Sequence, residues 1–147
     1  MIFLKYIATL GFIGYLPFAP GTFGTLAAVI FMVILKPSLP LHIGLTVFFI
    51  IAGIVSSGRA EELFRQKDSR HIVIDEFAGY MASLLFLPLS WGYIIAAFVL
   101  FRFFDILKPP PLRRLEDVFN GGFGIMADDI GAAVYTNLLL QLWKLLN

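Results

Sequence analysis

Apolar residues fall in five long runs along this chain, separated by short breaks that are polar or contain proline. A helix rises about 1.5 Å per residue, so about 20 mostly apolar residues are needed to cross a bilayer. The runs cover residues 22–35, 41–57, 72–89, 91–107 and 125–142. The pattern predicts an all-α, multi-pass membrane protein in which about five apolar helices form one bundle.

Prolines and charges mark the ends of these runs. Pro37 and Pro40 separate the first run from the second, and three prolines at 109–111 stop the fourth, because proline cannot continue a helix. Residues 58–71 are the most charged segment and are predicted to form a solvated loop. The first run is short for a full crossing, and we expect residues 2–14 to form an interfacial or half-inserted helix beside it.

The composition supports lipid as the surrounding medium. Apolar residues make up 59% of the 147 residues and charged residues 14%, whereas soluble domains average about 45–50% and about 25%. The length suits a single domain over residues 1–147. Cysteine is absent, which excludes disulfides, thiolate nucleophiles and sulfur-bound metals. We expect membrane lipids and no nucleic acid as partners, and the sequence leaves open whether the chain forms a homo-oligomer.

Basic residues are distributed unevenly between the two predicted membrane faces. If all five runs cross, one face carries Lys5, Arg59, Arg65, Lys67, Arg70, Lys108, Arg113 and Arg114. The other face keeps only Lys36 and Lys144. Loops rich in Lys and Arg stay in the cytoplasm, so the first face is predicted to be cytoplasmic.

Five carboxylates lie at this same face, on three different runs. Asp75 and Glu76 begin the third run, Asp105 ends the fourth, and Asp128 and Asp129 begin the fifth. Ionisable groups at the edge of a membrane span are costly and are usually functional or paired. Carboxylates without cysteine suit a hard cation such as Mg²⁺. We therefore predict that all five act as catalytic and metal-binding residues, without assigning the general base.

A structural interpretation of the acids remains open. They could pair with nearby bases and anchor helix ends, and a carboxylate in the first turn of a helix is stabilised by the helix dipole. Asp105 fits this interpretation less well, because a carboxylate is disfavoured at a helix C-terminus. It requires a cation, and Arg102 and Lys108 each lie three residues away on about the same face.

Phosphate is the predicted partner of such a metal site. Arg102 and Lys108 place positive charge close to the acids. Two glycine-rich segments, residues 20–25 and 120–124, open predicted helices, and backbone N–H groups at a helix N-terminus bind anions. The predicted substrate-binding residues are Gly21, Thr22, Gly24, Thr25, Arg102 and Lys108.

The two histidines are not predicted to take part in the chemistry. His42 lies at the start of the second run, on the face opposite to the acids, and is predicted to be a boundary residue. His71 precedes Asp75 by four residues and is predicted to be a loop histidine rather than a ligand or nucleophile.

Four segments give the chain a resemblance to a known family of bacterial membrane enzymes. They are Gly14-x-x-Pro17-x-Ala19-Pro20-Gly21-Thr22-x-Gly24, Asp75-Glu76-x-x-Gly79, Phe101-Arg102-x-Phe104-Asp105-x-x-Lys108-Pro109-x-Pro111, and Gly122-x-Gly124-Ile125-Met126-x-Asp128-Asp129. In these residues and their order, the chain resembles the phosphatidylglycerophosphatase A family.

The resemblance implies a specific reaction and place. It implies Mg²⁺-dependent hydrolysis of phosphatidylglycerophosphate to phosphatidylglycerol and phosphate, as a step of bacterial phospholipid synthesis. The enzyme would lie in the inner membrane with its active site facing the cytoplasm. The residues alone leave a second function class open, a cation-coupled membrane transporter that uses the same carboxylates. Transport is less favoured because transporter sites lie near the membrane midplane between repeats, and no repeat is evident here.

Overall fold

The fold is helical throughout the part of the chain that the computed structural model describes, which is residues 2–67 and 69–147, with only the backbone at residue 116. These residues form seven α-helices and no strand: α1 (Ile2–Ala8), α2 (Pro20–Leu35), α3 (Leu39–Phe64), α4 (Ile74–Ser83), α5 (Trp91–Leu107), α6 (Leu112–Val118) and α7 (Gly121–Leu146). A short 3-10 helix, Ile13–Tyr15, lies between α1 and α2. The prediction of an all-α protein is confirmed.

Helix α3 is the longest apolar element and extends further than predicted. Within the described residues it is the one helix long and apolar enough to cross a membrane, and α2 is a shorter apolar helix. Residues 58–64, predicted as loop, are its last two turns. Charged side chains do not end a helix, and here Arg59 donates to Glu62, one turn later, at 3.0 Å. The chain leaves α3 at Arg65, which adopts the left-handed conformation.

Helix α4 is shorter than the predicted third run, which extended over residues 72–89. It ends at Ser83 after ten residues, a rise of about 15 Å against a bilayer core of about 30 Å. Phe86 has a positive φ of 62°, and Pro88 disfavours helix in the residue before it. The backbone therefore turns at this point although every residue from 84 to 89 is apolar.

Polar side chains from α7 satisfy the carbonyls that this early end exposes. Asn137 Nδ2 donates to the carbonyls of Ser83 at 2.9 Å and Leu85 at 2.8 Å. Gln141 Nε2 also donates to Leu85, at 3.3 Å. Backbone polar groups at membrane depth need such partners, so these two side chains allow α4 to stop inside the bundle.

His42 connects the start of α3 to α4. It lies in the first turn of α3, at a helix start as predicted, and it is buried with 3% of its surface exposed. Its Nε2–H donates to the carbonyl of Met81 at 2.9 Å. His42 is therefore a buried tether between α3 and α4.

Helix α7 packs against α3, α4, α5 and α6 and occupies the centre of the bundle. At Gly79 of α4, an added Cβ would lie 2.8 Å from the ring of Phe101 and 3.2 Å from Cβ of Asp129. Real Cβ atoms do not come so close to a neighbouring ring. The absence of a side chain at Gly79 therefore permits the close approach that brings α7 and its Asp129 against α4.

Candidate active site

The five predicted carboxylates converge from three helices. Asp75 and Glu76 lie in the first turn of α4, Asp105 in the last turn of α5, and Asp128 and Asp129 in the third turn of α7. All five line one cavity of about 100 Å³, together with Lys108 and Ile125. Ile125 was not predicted, although its position one helical turn before Asp128 and Asp129 places it on their face.

Within the cavity, carboxylate oxygens form two overlapping groups of three. One oxygen from each of Asp75, Glu76 and Asp129 lies within 4.8 Å of the others, and the same holds for Asp105, Asp128 and Asp129. We call these the first trio and the second trio. Asp129 belongs to both and has 3% of its surface exposed.

Two basic side chains contact the acids. Arg102 donates from Nη1 to Asp105 Oδ2, and the same nitrogen lies 3.8 Å from Glu76 Oε1. Lys108, which ends α5 in the left-handed conformation, extends to α7, where its Nζ lies 2.5 Å from Asp128 Oδ2. The sequence therefore predicted correctly that Arg102 pairs with Asp105, and Lys108 also forms an ion pair with the cluster.

These ion pairs leave part of the cluster unsatisfied. Glu76 Oε2 and Asp129 Oδ2 are buried and have no hydrogen-bond partner within the described residues. Burying a charged oxygen without a partner is expensive. Mg²⁺ binds oxygen ligands with an ion-to-oxygen distance of about 2.0–2.1 Å. Two oxygens on opposite sides of the ion are therefore about 4.2 Å apart. The spacing and chemistry of each trio therefore fit a small hard cation.

The N-terminus of α2 lies beside Glu76 and Arg102. Gly21 is buried, and an added Cβ there would collide with Oε1 of Glu76 and lie 3.3 Å from Nη2 of Arg102. Any side chain at this position would displace one of the two charged groups. Because Gly21 lies against Glu76 and Arg102, the positive end of the α2 dipole is close to the site, and the first turn of α2 contains no acidic residue that would offset it.

The other predicted residues of this glycine-rich segment differ in their surroundings. Thr22 is half-buried in the first turn of α2. Gly24 packs against Val73, since an added Cβ would lie 2.9 Å from the Val73 carbonyl oxygen. The hydroxyl of Thr25 is buried and donates to the Gly21 carbonyl at 3.0 Å. Of the four, Gly21 is the residue that the structure brings against Glu76 and Arg102.

His71 lies in the turn that leads into α4, in agreement with its predicted loop position. Its Nδ1–H donates to the carbonyl of Gly14 at 2.8 Å, and its ring stacks on Tyr15 with centroids 4.9 Å apart. These contacts attach the segment before α2 to the segment before α4. The Nδ1–H of His71 therefore holds together two backbone segments that lead into the helices of the site.

The chain is similar in sequence to known proteins over most of its length. The sequence model of the family described as phosphatidylglycerophosphatase A matches residues 6–144. The chain is 43% identical to phosphatidylglycerophosphatase A of Haemophilus influenzae, over 86% of this chain and 82% of that one. It is 37% identical to phosphatidylglycerophosphatase A of Escherichia coli, over 82% and 72%.

A third relative has a different name. The chain is 40% identical to a putative phosphatidylinositol-3-phosphatase of Bacteroides thetaiotaomicron, over 94% of this chain and 92% of that one. No solved structure matches the chain. The family match includes all four motifs and every residue that lines the acidic cavity. The chain therefore belongs to the phosphatidylglycerophosphatase A family and is a phosphatase.

Proposed function

We propose that this phosphatase hydrolyses phosphatidylglycerophosphate to phosphatidylglycerol and phosphate in a Mg²⁺-dependent reaction. The observation that carries the proposal is the cavity lined by five carboxylates, with Arg102 and Lys108 in contact with them. Family membership supports the reaction class, and the names of the H. influenzae and E. coli relatives support the substrate.

The residues that would hold Mg²⁺ are Asp75, Glu76, Asp105, Asp128 and Asp129. When bound, the ion supplies Lewis-acid charge that neutralises phosphate oxygens and makes a water molecule more acidic. One of the carboxylates accepts the proton of the attacking water, whose oxygen bonds to phosphorus as the ester P–O bond breaks, and this proton then passes to the glycerol oxygen of the departing phosphatidylglycerol.

The positive groups around the cavity bind the phosphate itself. Arg102 and Lys108 offer N–H donors to its oxygens, and charge-assisted hydrogen bonds of this kind are stronger than neutral ones. Amides at the first turn of α2, around Gly21 and Thr22, stabilise negative charge on the transferred group. Gly24 and Thr25 support this turn from within the packed face of α2.

The surface of the bundle supports a membrane location. Large apolar side chains are exposed along several helices, including Ile34 of α2, Phe48 of α3, Ile95 of α5 and Leu138 of α7. Such a surface is unusual for a soluble monomer. We infer that the bundle lies in the bacterial inner membrane as a multi-pass protein and that the acidic cavity opens at the cytoplasmic boundary, where a lipid headgroup lies.

A substrate comparison tests the proposal. Purified protein in detergent micelles with Mg²⁺ should release phosphate from phosphatidylglycerophosphate. Phosphatidylinositol 3-phosphate, suggested by the name of the third relative, serves as the competing substrate. Faster release from the inositol lipid would replace the proposed substrate but keep the reaction class. No release from either lipid would contradict the proposed lipid substrate.

The orientation can be tested separately with single cysteines, since the chain has none of its own. Gln66→Cys follows α3 and Ser38→Cys precedes it, and both positions are exposed. A membrane-impermeant maleimide applied to intact cells should label Ser38→Cys and leave Gln66→Cys unlabelled until the cells are opened. Labelling of Gln66→Cys from outside would place the acidic cavity on the wrong side of the membrane.

A further inference from the structure

We propose that Arg113 binds the second phosphate of the lipid substrate, the phosphodiester that joins the headgroup to the diacylglycerol. This inference rests on the proposed function and adds a residue that selects this lipid over other phosphate monoesters. Phosphatidylglycerophosphate carries two phosphates, one on each side of a glycerol unit. The acidic cavity takes the terminal monoester, so the negative charge of the diester needs a cation that lies outside the cavity and close to its rim.

Arg113 lies at the start of α6, just after the turn that connects this helix to α5. Its side chain is exposed, and its Nη2 lies 3.5 Å from the carbonyl oxygen of Leu107 at the end of α5. Leu107 directly precedes Lys108, which lines the acidic cavity and pairs with Asp128. The guanidinium of Arg113 is therefore a positive charge next to the rim of the cavity, although Arg113 does not line the cavity itself.

The guanidinium of Arg113 is available to bind an anion. An arginine presents five N–H donors in a planar fork that matches phosphate oxygens. Within the described residues, the Leu107 carbonyl is its one hydrogen-bond partner, and this contact is long. Arg102 and Lys108 differ, because both form ion pairs with carboxylates of the cavity. Of these three basic side chains, Arg113 is the one that is not already engaged with the acids.

Packing between α6 and α7 holds the backbone of Arg113 in place. Leu112 is buried, and an added Cβ at Gly131 of α7 would collide with its side chain. The hydroxyl of Tyr135, also in α7, donates to the carbonyl of Pro110 at 3.1 Å. Both contacts attach the start of α6 to the helix that carries two of the five acids, so the position of Arg113 relative to the cavity is set by the fold.

The end of α5 that Arg113 contacts is apolar on its outer face. Phe103, Ile106 and Leu107 are exposed there, at a spacing that places them on one side of the helix. Arg113 therefore lies where a charged cavity borders a surface that acyl chains can contact. The diester phosphate has the same place in the substrate, between the terminal monoester and the acyl chains.

Arg114 provides a matched control. It follows Arg113 in the same helix and is also exposed, so its removal changes the charge of the same surface by the same amount. Successive residues of a helix are rotated by about 100°, so the two side chains leave α6 in different directions. In the described structure, Arg113 is the member of this pair that contacts Leu107.

The experiment measures KM and kcat for phosphatidylglycerophosphate in detergent micelles with Mg²⁺. Arg113→Gln should raise KM about tenfold, because a charge-assisted hydrogen bond to the substrate is lost. Its kcat should stay within about twofold of native, since the lost contact is made equally in the ground state and the transition state. Arg113→Lys keeps the charge without the planar fork and should recover part of the loss. Arg114→Gln should leave KM unchanged, and thermal unfolding verifies that each variant is folded.

Soluble inhibitors give a second measurement that does not depend on the micelle surface. Glycerol bisphosphate, with a phosphate on each end carbon, presents two anions one glycerol unit apart, whereas glycerol phosphate presents one. The native chain should bind the bisphosphate about tenfold more tightly. Arg113→Gln should lose this preference, and Arg114→Gln should keep it.

The outcomes separate this inference from the proposed function. A native KM in folded Arg113→Gln protein, or equal inhibition of the native chain by the two soluble compounds, would overturn the inference and leave the proposed function standing. An equal rise of KM in Arg113→Gln and Arg114→Gln would also overturn it, because general surface charge would then explain the effect. Lower stability with an unchanged KM would show that Arg113 only caps α5. Absence of phosphate release by the native chain would overturn the proposed function, and this inference with it.

Discussion

The two ends of α4 both bury polar groups, but they differ in how those groups are hydrogen-bonded. At its N-terminus, Asp75 and Glu76 bring charge into a buried cluster in which Glu76 Oε2 is left without a partner in the described structure. At its C-terminus, the carbonyls of Ser83 and Leu85 accept hydrogen bonds from Asn137 at 2.9 and 2.8 Å. Both ends bury polar groups inside the bundle, yet in the described structure the N-terminal end keeps a buried carboxylate oxygen, Glu76 Oε2, without a hydrogen-bond partner.

This difference distinguishes buried polar groups that serve the fold from buried polar groups that are available to bind a ligand. Polar groups that a protein needs only for its fold are nearly always paired internally. A buried charge without an internal partner destabilises the fold unless something outside the chain binds it. The C-terminal end of α4 is therefore expected to determine stability, and the N-terminal end to determine activity. Mutations at the two ends should separate these two properties.

The largest effect is expected at the acidic end. Asp75→Asn, Glu76→Gln, Asp105→Asn, Asp128→Asn and Asp129→Asn should each lower turnover by a factor of about 10²–10⁴, because each removes a proposed metal ligand or proton acceptor. For Asp129→Asn measured in EDTA, the unfolding temperature should not fall, since the substitution removes a buried charge that repels its neighbours. Turnover and thermal unfolding are measured on the same preparations.

Glu62→Gln is the matched control for these variants, because it removes a carboxylate that is exposed to solvent. It should change neither turnover nor unfolding temperature. If the five variants kept normal turnover but unfolded at lower temperature, the acids would be anchors of helix ends, which is the structural interpretation left open by the sequence.

An intermediate effect on both properties is expected in the middle of α4. Gly79→Ala would force a methyl group against Phe101 and the Asp129 Cβ. Overpacking of this kind costs about 1–3 kcal/mol of unfolding free energy, and the displaced Asp129 should also lower turnover. Gly92→Ala is the control, since a Cβ there has open space around it. Equal behaviour of the two variants would show that the close approach of α4 and α7 does not position the site.

The smallest effect on activity is expected at the C-terminal end. Asn137→Ala leaves the carbonyls of Ser83 and Leu85 with fewer donors, which should lower the free energy of unfolding by about 1–3 kcal/mol. Turnover of the folded protein should stay within about twofold of native. Denaturation in detergent measures the first and phosphate release the second. Asn147→Ala, which removes an exposed hydrogen bond within the last turn of the chain, should leave both unchanged.

The sequence predicted the helical class and the position of the acids because both follow from local patterns. Asp75, Asp105 and Asp128 lie near the ends of three apolar runs, which predicts that they share one membrane face. The structure brings them to one cavity. The early end of α4 could not be predicted in this way. Residues 84–89 are apolar, so hydropathy does not distinguish a turn from a helix there, and the side chain that satisfies Ser83 lies 54 residues away.

The arrangement within the site also depends on contacts that no local pattern reveals. That Asp129 is shared between two trios follows from the packing of α7 on Gly79 and Phe101. The polarity of residues 58–64 predicts a loop, although Ala60, Glu61, Glu62 and Leu63 are all good helix formers. A helix that extends beyond an apolar run keeps its hydrogen bonds while its side chains become polar.

The most direct test of the account is phosphate release from phosphatidylglycerophosphate by one purified preparation, measured through a cycle of metal removal and return. With Mg²⁺ present, release should be rapid; after excess EDTA it should stop, and restored Mg²⁺ should recover it. The account requires this loss and recovery, because the unpaired oxygens of Glu76 and Asp129 are predicted to work only with a bound cation. Undiminished release in excess chelator would contradict it.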